Sequence, residues 1–143
     1  KFPPPITIHT YNDSIHENER TSEVYIKKMI EVFDEIFDKN KDWNSNISNR
    51  SQYFLVKGIL LCKLKNKDSV KYLKKYLYLS YKVEKLFNEK KISLIPEPMI
   101  AYRNTAFVRL METTHKKITA NDIINDIDLV SDKDLNNSLS RLK

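Results

Sequence analysis

Residues 96–143 decide the fold, and they read PEPMIAYRNTAFVRLMETTHKKITANDIINDIDLVSDKDLNNSLSRLK. Apolar residues recur there at helical spacing, and polar residues stand where helices would begin and end. The pattern predicts a long helix over about residues 97–115, a short helix, a tight turn and a last helix. This order is typical of a helix-turn-helix or winged-helix unit.

Two similar start signals divide the end of this stretch. Thr119 stands three residues before Asp122, and Ser131 stands three residues before Asp134. A hydroxyl residue followed at this spacing by a carboxylate approximates a capping box. Residues 128–131 are predicted to form the turn, with Leu129 or Val130 in its corner. The residues predicted to face inward are Ile123, Ile124, Ile127, Leu135, Leu139 and Leu142.

The residues before this stretch predict helical scaffold. Thr21 or Ser22 can cap a first helix, whose apolar stripe packs on the core or, less favoured, on a partner. Residues 51–91 predict a helical hairpin of two helices, 52–64 and 69–88, joined by a short polar turn. Gly58 in the middle of its first helix indicates a close helix crossing.

Two segments are predicted to be irregular. Residues 40–50 form a polar stretch around Trp43 and predict a disordered or inserted loop, with Trp43 anchoring it to the core. Residues 90–98 contain two prolines and predict a linker, whose apolar residues can dock on the core as an extended piece.

Composition restricts the fold class to all-α, a helical bundle with a hairpin and a C-terminal helix-turn-helix-like part. One Gly among 143 residues is too few for a chain of short strands and hairpins. Residues 1–20 lack a helical period and predict an extended arm, and residues 21–143 predict one helical domain.

No run of about 18 apolar residues is present, so a membrane span is not expected. The first residue is Lys1 rather than Met, which indicates a fragment or a processed chain.

The single cysteine, Cys62, excludes an internal disulfide and a cysteine-based zinc site. It favours an intracellular location, in the cytoplasm or nucleus.

No Gly-rich phosphate loop, acidic metal cluster or Ser/His/Asp arrangement is present, so we expect no cofactor, metal or enzymatic activity. Arg109 and His115 match the loose spacing of HEPN ribonucleases, but Leu110 stands where a polar residue commonly follows that arginine.

Charge is unevenly distributed along a chain of net charge +6. Residues 17–42 are mostly acidic among their charged positions, and residues 63–91 are mostly basic, with tyrosines between the lysines. Either complementary faces pack within the fold, or the lysines hold phosphates while aromatic rings stack on bases. The candidate nucleic-acid-binding residues are Lys71, Lys74, Lys75, Tyr78, Lys82, Lys85 and Arg141.

The last helix would expose Asn136, Asn137 and Ser140, which are candidate interaction residues. Five aspartates between Asp122 and Asp134 make this part acidic. Negative charge opposes approach to a phosphate backbone, so a protein contact is favoured over reading of DNA.

Residues 103–143, with their helix and the two start signals, resemble the winged-helix part of PCI domains. These domains occur in subunits of the proteasome lid, the COP9 signalosome, eukaryotic initiation factor three and mRNA-export complexes. Helical repeats precede the winged helix there, as the hairpin over residues 51–91 would here. In that family the wing strands would follow at the point where this sequence ends.

The resemblance implies a unit that joins subunits and sometimes contacts RNA or DNA. We therefore expect a non-enzymatic helical protein–protein interaction module, a subunit of a larger intracellular complex with protein partners. The alternative is a nucleic-acid-binding module that uses residues 69–91 and the last helix to bind RNA or DNA.

Overall fold

The computed structural model describes residues 22–142, which form eight α-helices and no strand. The predicted all-α class is confirmed. The predicted arm over residues 1–20 and the alternative cap Thr21 lie outside the described residues. The helices are α1 (Glu23–Lys39), α2 (Lys41–Ser45), α3 (Ile47–Lys63), α4 (Ser69–Asn88), α5 (Arg103–Thr114), α6 (Ala120–Ile124), α7 (Ile127–Val130) and α8 (Lys133–Ser140), with a 3₁₀ turn at Glu97–Met99 before α5.

The centre of the fold is the hairpin of α3 and α4, which matches the predicted hairpin closely. Leu55, Leu60 and Leu77 are fully buried in it. A Cβ atom placed on Gly58 would lie 2.6 Å from Cδ2 and 2.7 Å from Cγ of Leu73. The helices therefore cross too closely for a side chain at residue 58, which confirms the predicted close crossing.

The other helices pack around this hairpin and share one hydrophobic core with it. Helix α1 packs on α3, whereas α5, α6, α7 and α8 pack on α4. Within residues 22–142, no helix is both long enough and apolar enough to cross a bilayer.

The predicted loop over residues 40–50 is wrong, because these residues form α2 and the start of α3. Their Asn side chains bond the backbone locally, which makes short capped helices instead of a loop. The Asn46 side chain accepts from the N–H of Asn49 at 3.1 Å and caps α3. Trp43 is buried, as its predicted role as an anchor requires.

The predicted continuous helix over residues 97–115 is also wrong. The carbonyl oxygen of Pro98 accepts two hydrogen bonds, one from Nε2 of Gln52 at 2.7 Å and one from the hydroxyl of Tyr76 at 3.1 Å. These bonds hold the backbone outside an α-helix, and α5 begins only at Arg103. In the linker before it, Ile92 and Ile95 pack against the core as predicted, whereas Leu94, also predicted to dock there, is 73% exposed.

The two start signals of the C-terminal part have different outcomes. Thr119 and Asp122 form the predicted capping box, in which each side chain accepts from the other residue's N–H. The second start was placed one residue too early, because Asp132 rather than Ser131 caps α8, by accepting from the N–H of Leu135 at 3.1 Å.

The predicted turn over residues 128–131 is largely occupied by α7. The Asp126 carboxylate caps this helix, accepting from the N–H of Asp128 at 3.0 Å. Leu129 fills the corner as predicted, whereas Ile127, predicted to face inward, is 79% exposed. The C-terminal part is therefore three short helices, and the expected helix-turn-helix order does not hold in its simple form.

We expect Gly58→Ala to lower the free energy of unfolding. The added methyl group overpacks the contact with Leu73, at a cost of about 1–3 kcal/mol, and the gain of about 1 kcal/mol in helix propensity leaves a net loss of up to about 2 kcal/mol. Urea denaturation measures the difference. In a Leu73→Ala background the same change should cost little, and an equal cost in both backgrounds would contradict the close crossing.

Candidate interaction surfaces

Two of the predicted basic residues form ion pairs inside the fold. The Nζ of Lys74 lies 3.1 Å from Oδ2 of Asp126, and the Nζ of Lys75 lies 3.7 Å from Oδ2 of Asp132. All four side chains are at least two-thirds buried. The first half of α4 therefore holds the acidic C-terminal helices, so complementary faces within the fold account for this part of the charge pattern.

Tyr78 was predicted to contact nucleic acid, but its side chain is almost completely buried. Only 2% of it is exposed, and burial raises the pKa of its hydroxyl. The ammonium of Lys82 lies 5.5 Å from the centre of the Tyr78 ring. A buried ring cannot stack on a base, so the role predicted for Tyr78 is wrong in this structure.

The later lysines of α4 meet the last helix around one open cavity of about 300 Å³. This basic groove is lined by Tyr78, Lys82, Lys85, Leu86, Glu89, Lys91, Asn136, Leu139 and Ser140. It brings together residues that the sequence analysis assigned to two separate surfaces. Glu89 reduces its positive charge, since its carboxylate lies 3.4 Å from the Nζ of Lys91.

Other predicted site residues lie away from this groove. Lys71 is exposed, and its ammonium lies 5.2 Å from the centre of the Tyr72 ring. Asn137 and Arg141 are exposed but do not line the cavity. The predicted surface residues therefore form one cluster and several separate positions.

A polar cluster between α1 and α3 was missed by the sequence analysis. The Tyr53 hydroxyl donates to Oδ1 of Asp34 at 2.6 Å, and the Nζ of Lys57 donates to the same oxygen at 2.8 Å. We call these three residues the polar tie. The visible signal was Lys57, a charged residue in the apolar run of residues 51–64, but its partner lies on another helix.

Protonation of the polar tie follows from burial and from the shared carboxylate. Burial and the hydrogen bond to Asp34 raise the pKa of Tyr53 far above its usual value. Burial alone would lower the pKa of Lys57, but its contacts, led by the hydrogen bond to Asp34, outweigh that effect and raise the pKa. Tyrosine therefore stays neutral and lysine stays charged, so the cluster fastens α1 to α3.

Beside its buried stripe, α1 carries a second row of apolar residues, two of which pack partly buried against the core. Ile26 and Phe33 of the predicted apolar stripe are buried in the core, and its other members, Met29, Ile30, Ile36 and Phe37, pack partly buried against it. Tyr25, Met29, Val32 and Ile36 follow one another at helical spacing beside them, and we call them the outer stripe. Tyr25 is 46% and Val32 38% exposed, whereas Met29 and Ile36 are partly buried.

In the described part of the chain, the remaining candidates for chemistry lie in separate places. His115 is exposed at the left-handed end of α5, and the partly buried Cys62 thiol lies 3.5 Å from the Thr113 hydroxyl. Within residues 22–142, no three His, Cys, Asp or Glu side chains form a group able to hold a metal ion.

Comparison with family models, curated proteins and solved structures finds no match to this chain. The resemblance to PCI domains therefore stays a prediction.

We expect Tyr53→Phe to change how stability depends on pH. Because the pKa of Tyr53 is raised in the folded chain, the folded state keeps a proton that an unfolded tyrosine releases near pH 10. Its contribution is complete below about pH 10 and is lost progressively above it. Urea denaturation from pH 7 to 11 should show a shallower alkaline loss in Tyr53→Phe.

The variant should also be less stable at pH 7, by about 1.5–3 kcal/mol, since it loses a hydrogen bond to a charged acceptor. Tyr25→Phe is the matched control, because it removes a hydroxyl from the exposed side of α1. If the free energy of unfolding falls with pH equally steeply in Tyr53→Phe and in the unmodified chain, Tyr53 does not keep its proton in the folded state.

Proposed function

We propose that this chain is a non-enzymatic helical module that binds another protein through the outer stripe of α1. The observation that carries the proposal is the row of Tyr25, Met29, Val32 and Ile36, which the fold leaves only partly covered. Complete burial of an exposed apolar side chain contributes roughly 1.5–3 kcal/mol. Tyr25 and Val32 would therefore supply most of the gain, and the partly buried Met29 and Ile36 would add less.

The position of α1 supports a protein partner. Helix α1 lies at the edge of the fold, where it packs mainly on α2 and α3. Exposed charged residues, among them Lys28 and Glu35, border one edge of the outer stripe, and its other edge adjoins the buried face of α1. An apolar centre with a polar rim is the usual anatomy of a protein interface, and an amphipathic helix is a common way to present it.

The polar tie supports the proposal by fixing how α1 is rotated. Asp34 is bonded to α3 through Tyr53 and Lys57, and the rings of Phe37 and Tyr53 stack with centres 4.0 Å apart. These contacts keep Ile26 and Phe33 in the core. The outer stripe is consequently presented in one orientation, which lowers the entropy cost of binding.

The resemblance to PCI domains agrees with a subunit of a larger intracellular complex, which we retain as part of the proposal. It places the contact in the C-terminal helices, however, and these already use Asp126 and Asp132 to pair with α4. We therefore assign the main contact to α1, and a smaller role to the exposed residues Ile127 and Val130 of α7.

A photoreactive residue at position 32 tests this surface. With p-benzoylphenylalanine in place of Val32 in the full chain, light should produce a covalent adduct with a protein in the cells that make it. The control places the same residue at Val108, which is 50% exposed on α5. Adduct formation at residue 32 no greater than at residue 108 would rule out the outer stripe as the contact surface.

A second candidate function, binding of RNA or DNA, is favoured by the basic groove. Lys82, Lys85 and Lys91 line one cavity with the polar side chains of Asn136 and Ser140, a combination that suits phosphate oxygens. The site differs from the predicted one, because Lys74, Lys75 and Tyr78 are engaged inside the fold.

Charge reversal of Lys82 and Lys85 distinguishes binding in the basic groove from nonspecific attraction of nucleic acid to the net positive charge of the chain. Fluorescence anisotropy with generic single-stranded RNA and DNA should show weaker binding for the Lys82→Glu, Lys85→Glu double variant. The salt slope should fall by about 1 for each lost phosphate contact. The Lys116→Glu, Lys117→Glu variant makes the same change in net charge at exposed residues elsewhere. Equal losses in both variants, or no binding at low salt, would exclude the basic groove.

A further inference from the structure

We infer that the outer stripe binds a second copy of this chain, with the two α1 helices antiparallel about a two-fold axis. The inference rests on the proposed function and names its partner. Its basis is the self-complementary pattern of the apolar residues of the outer stripe and of the exposed charged residues along one edge of it.

The apolar pattern is symmetric about the middle of α1. Tyr25 and Ile36 lie equally far from the midpoint between residues 30 and 31, and so do Met29 and Val32. When two identical helices run antiparallel about that midpoint, Tyr25 meets Ile36 of the second copy, and Met29 meets Val32 of the second copy. Each contact pairs a larger side chain with a smaller one, which allows close packing across the axis.

The charges bordering the stripe favour the same arrangement. Lys28 and Glu35 are exposed and lie seven residues apart, which puts them on one edge of the stripe. In an antiparallel pair like edges meet, so Lys28 faces Glu35 of the second copy, twice by symmetry. The opposite edge carries Ile26 and Phe33, which are buried in the chain's own core.

A parallel arrangement lacks this complementarity. There, each edge meets the opposite edge of the other helix, so Lys28 and Glu35 would face positions already occupied by the core residues Ile26 and Phe33. Within its own chain, Glu35 pairs with Lys39 at 3.0 Å, and both side chains are well exposed. Such an exposed pair exchanges readily for an intermolecular one.

The interface is small, so the dimer should be weak. Four apolar residues from each copy make a contact below the standard size of a stable protein–protein interface. We therefore expect association at concentrations on the order of 1–100 μM, driven by the apolar stripe and oriented by the charges.

Sedimentation equilibrium of the full chain across that concentration range tests the partner. We expect concentration-dependent dimers for the unmodified chain and at least tenfold weaker association for Val32→Glu. Val108→Glu places the same charge on another partly exposed valine and should associate like the unmodified chain. Unchanged thermal melting of dilute Val32→Glu shows that the fold is intact. A chain that stays monomeric throughout the range, or equal effects of both variants, would overturn the inference.

Charge exchange tests the orientation. Lys28→Glu places like charges opposite Glu35 of the second copy, and Glu35→Lys does the same opposite Lys28, so each single variant should associate several-fold more weakly. The double variant restores opposite charges across an antiparallel pair and should recover most of the loss. No recovery in the double variant would exclude the antiparallel arrangement.

The same series separates this inference from the proposed function. A photo-adduct at residue 32 with a different protein, together with a monomeric purified chain, would overturn the second copy as partner and leave the protein-binding surface intact. Absence of any adduct at residue 32, together with a monomeric chain, would overturn both.

Discussion

The close crossing of α3 and α4 at Gly58 sets the positions of the other helices. Without a side chain at residue 58, Leu73 of α4 can lie directly against the backbone of α3, and the two helices bury their apolar faces against each other. Helix α1 then packs on the outer side of α3, while α5 and the C-terminal helices cover α4. The surfaces left for partners are those that this arrangement does not use.

Ion pairs and charged hydrogen bonds between helices fix which side chains stay at the surface. Lys74 and Lys75 pair with Asp126 and Asp132, whose carboxylates cap the N-termini of α7 and α8. The same two aspartates therefore start these helices and attach them to α4. The polar tie plays the same part for α1. It fixes the rotation of α1, which leaves Tyr25 and Val32 of the outer stripe partly exposed. At the far end of α4, Lys82, Lys85 and Lys91 line the basic groove.

Features that depend on contacts within one helix could be predicted from the sequence, whereas those that depend on contacts between different helices could not. Helical periodicity located α1, α3 and α4, and the spacing of Thr119 and Asp122 located a capping box, because these are local interactions. The break before α5 depends on Gln52 and Tyr76, which reach Pro98 from distant helices. Likewise, the burial of Tyr78 and the pairing of Lys74 depend on where the C-terminal helices pack. Patterning alone thus overestimated the basic surface.

Contact between two copies of α1 is tested most directly by isotope-filtered nuclear Overhauser spectroscopy on a mixture of labelled and unlabelled chains. Tyr25 and Ile36 lie eleven residues apart on one straight helix, roughly 16 Å along its axis, so they cannot contact each other within one chain. An antiparallel pair predicts an intermolecular signal between the Tyr25 ring and the Ile36 methyl groups. The absence of intermolecular signals from the outer stripe at concentrations well above 100 μM, or a signal joining Tyr25 to Tyr25 of the second copy, would contradict it.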